Sequence, residues 1–226
     1  KPGKLSYCKA VGWYIDEYRI AQVSINLTNY KKNSLHKTFE EVRKQARKRG
    51  LRVTGSEIVG LVPRQALIDS GVYYLKKQNK STGIPEADII DIAITTLGLN
   101  EITAFDKDIK IIENKIYQNN SLADLSINQF LNKISRETPT PGGGSVSALA
   151  ASLGASLSSM VANLSYSKKE YEKNKNMLIR ASEICQDLLR ESVKMIDKDS
   201  NSYDSVINAI RMPKKSKSDL EKRDKA

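Results

Sequence analysis

Polar and apolar residues alternate through residues 20–30. Ala21, Val23, Ile25 and Leu27 fall on one side, and Gln22, Ser24, Asn26 and Thr28 on the other, the period of two of a β-strand. A mostly apolar run over residues 8–15 precedes it, with Asp16-Glu17 as the turn between two strands. From Ser34 the period lengthens: Leu35, Phe39, Val42 and Ala46 make one helical stripe, capped by Ser34 and ended by Gly50. Residues 51–62 read as a further strand interrupted by Gly55 and Gly60. Pro63 suits the first turn of the next helix, which Gly71 ends or bends. Helices over 85–97, stopped by Gly98, and over 106–116 complete this half. The order predicts an α+β two-layer subdomain, its helices on one side of a mixed sheet.

After residue 120 nothing reads as strand. Ser126-Ile-Asn-Gln129 is a capping box, opening a helix with Ile127, Phe130, Leu131 and Ile134 inward. Thr138-Pro-Thr-Pro-Gly-Gly-Gly144 breaks it. Helices then run from about residue 145 to 164 and from 169 towards 211, before Pro213. The fold class expected is the two-layer subdomain followed by an all-α helical bundle domain, truncated. The polar stretch around residues 118–121 marks the join. Expected boundaries are 1–118, a linker over 119–125, and the helical part over 126–226.

Composition changes this picture little. The net charge of +11 suggests nucleic acid, but Lys and Arg are scattered apart from clusters at 43–49 and 214–217. A solvated basic surface is the preferred account of the charge, and such a field also attracts anionic small molecules. Cys8 and Cys185 have no CxxC partner, which suits a reducing, cytoplasmic setting. No signal peptide opens the sequence. Residues 1–5 read as interior, and the last residues stop within a helix-like pattern, so a piece cut at both ends is expected.

Four stretches have the residue types for chemistry. Gln22, Ser24 and Asn26 form an uncharged row of donors and acceptors, suited either to a heterocycle with amide-like edges or to a covering partner. Glu57, in the glycine-punctuated 53–63 segment, either hydrogen-bonds an amino-heterocycle or belongs to turn chemistry. Gly142, Gly143, Gly144 and Ser145 open a helix whose first N–H groups favour an anion. No residue from 138 to 167 is charged, and Ala148, Ala151, Ser152, Ala155, Ser156 and Ser159 allow close packing, so a buried bundle helix is expected rather than a membrane span. Asp197 and Asp199 do not share a helical face; one can turn inward, and Tyr203 lies a turn beyond Asp199. A partly buried carboxylate there is a general acid/base; two solvated aspartates are the bland alternative. His36, the single histidine, reads as a surface or packing residue. No metal-ligand spacing, P-loop or dinucleotide fingerprint is present.

These stretches carry a resemblance. Lys9-Ala-Val-Gly-Trp-Tyr-Ile-Asp-Glu17, Ala21-Gln-Val-Ser-Ile-Asn-Leu-Thr28, Ser34-Leu-His36 with Phe39-Glu-Glu41, and Thr54-Gly-Ser-Glu-Ile-Val-Gly-Leu-Val-Pro63 resemble the C-terminal subdomain of glutamate formimidoyltransferase. Pro141-Gly-Gly-Gly-Ser145, Ser158-Ser-Met-Val161, Asp197-Lys-Asp199 with Tyr203, and Met212-Pro-Lys214 resemble the start of a cyclodeaminase domain. Together they are similar to the formimidoyltransferase-cyclodeaminase family over nearly the whole chain.

The resemblance implies transfer of a formimino group from N-formimino-L-glutamate to tetrahydrofolate, then ring closure to 5,10-methenyltetrahydrofolate with loss of ammonia, in histidine degradation. It implies tetrahydrofolate as co-substrate, folate and N-formimino-L-glutamate as partners, and a ring-shaped homo-oligomer; from the residues themselves, no metal, no nucleic acid and no membrane are expected. It aligns Asp199 with the family's acid/base carboxylate. The family's transferase histidine lies in a preceding subdomain, and His36 occupies a different, helical position, so transfer by this chain alone is not expected. A methenyltetrahydrofolate cyclohydrolase-like enzyme and a non-catalytic folate-binding module are the alternatives.

Overall fold

The computed structural model describes residues 4–17, 19–116, 121–214 and 223. The core of the expected linker (119–120), the tail past residue 214 apart from Arg223, and most of the 214–217 basic cluster lie outside them. The chain separates into two compact units, residues 1–118 and 119–226.

In the first unit, β1 (Cys8–Ile15) and β2 (Ile20–Leu27) pair antiparallel, with Cys8 opposite Leu27 and Ile15 opposite Ile20. The turn closes through the Arg19 N–H, which donates to the Asp16 carbonyl at 3.3 Å. The described sheet has these two strands only, not the mixed sheet expected. Residues 51–61 run without strand pairing, where a strand over 51–62 was expected. Val62 alone makes a parallel bridge, to Ile111. The two glycines explain the difference. Gly60 takes a left-handed φ of 79°, which breaks the extended path, and Gly55 packs closely on Glu101 and Gly98 instead of a neighbouring strand.

Helices α1 (Leu35–Arg47), α2 (Arg64–Lys77) and α3 (Glu86–Leu97) follow the apolar stripes, with Gly98 left-handed at φ 64° closing α3. Ser34 precedes α1 as expected but does not cap it through its side chain; its hydroxyl lies 3.0 Å from His36 Nε2 instead. Gly71 neither ends nor bends α2. It lies buried mid-helix, where a Cβ would overlap the Ile89 carbonyl of α3, so its role is close helix approach. The helix expected over 106–116 is two short ones, α4 (Lys107–Lys110) and α5 (Ile112–Ile116), because Ile111 leaves the helical path to meet Val62. Leu67, Ala93, Ile94, Leu97, Leu99 and Ile111 form the centre of this core.

α1 is tied to α2 by charge and stacking. Glu40 accepts from Lys77 at 2.7 Å, Arg43 at 2.8 Å and the Tyr74 hydroxyl at 3.3 Å. Burial pushes the Glu40 carboxyl up, but the hydrogen bonds from Lys77 and Arg43 outweigh it and hold the group below the usual carboxylate range. His36 stacks on Tyr73 with ring centroids 4.3 Å apart. Burial lowers the His36 pKa, opposed by Asp69 and Glu40.

In the second unit, a 3-10 turn (Leu122–Asp124) leads to α6 (Ile127–Ile134), whose capping box is present as expected. Only Phe130 of the expected inward set is buried; Ile127 and Leu131 are 79% and 55% exposed. α7 (Gly143–Tyr166) and α8 (Lys175–Arg211) dominate, α8 being preceded by a 3-10 segment (Lys169–Asn174). α7 was expected to be a buried bundle helix; within the described residues one stripe of it is covered. Ser145, Ser152 and Ser159, seven residues apart, and Ala162 are buried, as are Ser182, Gln186, Ile196 and Ser200 of α8. The Gln186 amide donates to the Ser159 hydroxyl at 2.9 Å, so the seam is partly polar. By length and composition α7 could also cross a membrane. The expected linker is described from Ser121 on, where Leu122 is buried with Phe130 and Ile196.

Two outcomes follow from the α1–α2–α3 packing. Gly71→Ala forces a methyl against backbone that cannot rotate away, and should cost about 1–3 kcal/mol of stability in chemical denaturation. His36 binds a proton less readily folded than unfolded, so stability is full above the ordinary value of about 6.5 and is lost as pH falls through the lower folded value. As His36 is the single histidine, His36→Gln should flatten the denaturation midpoint across that window.

Candidate functional site

Two sites emerge, one in each unit. In the first, the sheet register places Gln22 and Ser24 of β2 on one face, both half-buried, and their side chains share it with the β1 residues opposite. Glu57 reaches this face from the 51–61 segment, and its Oε1 accepts from Gln22 Nε2 at 3.2 Å. Two residues 35 apart, each singled out for its chemistry, are therefore brought together. Ser56 holds the segment in place: its hydroxyl donates to the Leu97 carbonyl at 2.6 Å and its N–H to the Gly98 carbonyl at 3.0 Å. Asn26 lies further along the same face, exposed and opposite Lys9.

The second site is the glycine turn. Gly142 is the N-cap of α7, with Gly143 and Gly144 exposed in the first turn and Ser145 buried. None of the three glycines has a side chain with which to meet the helix's first N–H groups. Asp199 of α8 supplies it: its Oδ2 accepts from the Ser145 N–H at 2.9 Å and from the Ser145 hydroxyl at 3.2 Å. A Cβ on Gly144 would overlap the Asp199 carboxylate, so glycine there is what admits the carboxylate to the turn. Gly143 has open space around it and does not meet Asp199. The Ser145 hydroxyl also reaches the Ile196 carbonyl at 2.8 Å and the Ser200 hydroxyl at 3.0 Å.

Asp197 points elsewhere. It accepts from the Ser121 hydroxyl and, at 2.7 Å, from the Leu122 N–H, so it anchors the 3-10 turn. The pair thus divides as the two-residue spacing requires, but it is Asp197 that is half-buried, whereas Asp199 is seated on the glycine turn and open to solvent. Tyr203 is 46% exposed.

Sequence reasoning missed Thr140, Ser200 and Asp204. The Thr140 hydroxyl donates to Asp204 at 3.0 Å, tying the loop before the cis Thr140–Pro141 bond to α8. Ser200 follows Ile196 by four residues, a helical spacing that could have marked it as inward. Nothing local links Thr140 to Asp204. Among the described residues no cluster of three His, Cys, Asp or Glu side chains could hold a metal ion.

Comparison with known proteins gives matches for both units. The formiminotransferase domain model matches residues 1–117, and the formiminotransferase-cyclodeaminase model matches residues 126–226. Formimidoyltransferase-cyclodeaminase of Dictyostelium discoideum is 38% identical over 224 residues, 97% of this chain and 42% of that protein. Glutamate formimidoyltransferase of Streptococcus pyogenes serotype M1 is 47% identical over 77 residues, 34% of this chain and 26% of that protein. Methenyltetrahydrofolate cyclohydrolase of Methylorubrum extorquens is 37% identical over 89 residues, 39% of this chain and 43% of that protein. The chain thus spans less than half the length of these relatives.

The glycine turn generates a specific expectation. In Gly144→Ala the Asp199 side chain, being free to rotate, should swing out and leave the Ser145 N–H unmet. The stability loss should be that of a missing helix cap, about 0.5–2 kcal/mol in thermal or denaturant unfolding.

Proposed function

The chain belongs to the formimidoyltransferase-cyclodeaminase family, and from that membership we propose that it works within a bifunctional folate enzyme of histidine degradation. The first reaction moves the formimino group of N-formimino-L-glutamate to N5 of tetrahydrofolate. The second closes the ring. N10 attacks the formimino carbon, the new C–N bond forms, and the former imino nitrogen leaves as ammonia, giving 5,10-methenyltetrahydrofolate. The first unit contributes part of the transferase folate site through Gln22, Ser24, Asn26 and Glu57. The second carries the cyclodeaminase carboxylate.

The single observation supporting the second role is the seating of Asp199 on the Gly144–Ser145 turn. The carboxylate is fixed by the Ser145 N–H and hydroxyl yet accessible, which is what a proton relay requires. Asp199 takes the N10 proton and returns it to the departing nitrogen; one further proton from solvent completes ammonia. The Asp199 carboxylate itself occupies the favourable field at the helix end. The exposed Gly143 and Gly144 let substrate approach the backbone.

Assembly into a homo-oligomer belongs to the same reading. Leu153, Leu157, Met160 and Leu164 on α7, and Met177, Ile184 and Leu188 on α8, stand exposed. Apolar surface of that extent is ordinarily covered by further protein. The free thiols of Cys8 and Cys185 fit a reducing, cytoplasmic location, and tetrahydrofolate is read as a co-substrate with no metal required. The similarity of part of the chain to a cyclohydrolase supports one alternative, hydrolysis of the methenyl ring.

The test is Asp199→Asn in the full-length protein. Asparagine keeps an acceptor for the helix cap, so folding should persist while the relay is lost. Ammonia release from 5-formimidoyltetrahydrofolate should fall by about 10²- to 10⁴-fold. Unchanged release would remove Asp199 from the chemistry; turnover of methenyltetrahydrofolate without any ammonia release by the wild type would favour the cyclohydrolase.

A further inference from the structure

Strand pairing places three β1 residues beside the polar row of β2: Trp13 opposite Gln22, Val11 opposite Ser24 and Lys9 opposite Asn26. Residues opposed in an antiparallel pair project from the same face. The face is therefore split along its length. One half offers an indole ring and a branched aliphatic chain; the other offers an amide and a hydroxyl, with the Glu57 carboxylate hydrogen-bonded to Gln22 at the indole end. Trp13 is 46% exposed there, and Val11 is 60% exposed beside it.

We infer that Trp13 is a stacking platform for a flat, edge-polar heterocycle, and a residue that determines specificity for it. The π-face of such a ring lies on the indole, while its ring N–H and amino groups meet Glu57 and Gln22 in the ring plane. An aliphatic ligand would leave the polar row unmet. A bicyclic amino-pyrimidine has both properties, an aromatic face and an edge of alternating donors and acceptors. The inference rests on the folate reading above, in which that ring is the pterin; it adds Trp13 to the site and gives it a role.

The test uses the full-length protein with Trp13→Phe and Trp13→Ala, and folinic acid as the binding probe. Folinic acid should quench a component of the wild-type fluorescence that Trp13→Phe lacks. In formimino transfer, Trp13→Ala should raise the KM for tetrahydrofolate about tenfold, the scale of losing one ring-on-ring stack, with kcat little changed. Trp13→Phe, which keeps an aromatic ring, should recover most of that loss. If Trp13→Ala proves too unstable to assay, the Phe variant and the fluorescence difference decide alone. Identical quenching in wild type and Trp13→Phe, or a lowered melting temperature with KM unaltered, would overturn the inference and make Trp13 a packing residue under another segment. Wild type that binds no folinic acid would overturn the folate reading as well; wild type and Trp13→Ala binding it equally would sink the stacking role alone.

Discussion

Helix α7 begins with glycines, and a helix so begun has no side chain of its own for its first N–H groups. The Asp199 carboxylate of α8 meets the Ser145 N–H and so joins the two longest helices of the second unit at one end. Much of the local order follows from that contact. The Ser145 hydroxyl is drawn under α8, where it also reaches Ile196 and Ser200. The Ser145, Ser152 and Ser159 stripe then continues the close approach down the pair. Burying hydroxyls rather than bulky apolar groups brings the helices near each other, and each hydroxyl has a backbone or side-chain partner that makes the burial tolerable.

The same stretch of α8 presents three aspartates to three chain segments. Asp197 holds the Leu122 turn, Asp199 the glycine turn, and Asp204 the Thr140 loop. Two of these fasten irregular chain, whereas Asp199 fastens a helix end that is open to solvent. A carboxylate held at one oxygen and accessible from outside can both position the turn and handle a proton. Structural and chemical roles are therefore not exclusive at this residue.

In the first unit the limiting constraint is the narrow sheet. Two strands cannot bury a face on their own, and the helical core around Leu67 and Ile94 is built largely from α2, α3 and the Val62–Ile111 crossing. The sheet consequently leaves side chains of both strands available, and the irregular 51–61 segment brings Glu57 to Gln22. Gly55, packed against Glu101 and Gly98, fixes where that segment lies.

Much of this was legible in the residues. Period-two alternation located β2, the Ser126–Gln129 spacing located the capping box, and Gly98 marked the end of α3, because each signal is local. The resemblance carried by the quoted motifs pointed to the family. Contacts across long sequence separations were not legible. The 51–62 stretch has the composition of a strand, but strand formation needs a partner, and the chain folds so that only Val62 finds one. Ile127 and Leu131 have the right spacing to face inward, but no described element covers them. The two-residue spacing of Asp197 and Asp199 showed that they diverge, without showing which meets the glycine turn. Sequence by itself determined most of the helices and the hairpin, their order and the residue types available for chemistry, since these follow from local backbone preference and periodicity. Tertiary structure alone decided that Glu57 meets Gln22, that Trp13 stands beside them, and that Asp199 rather than Asp197 caps α7, because each depends on where distant backbone is held in space.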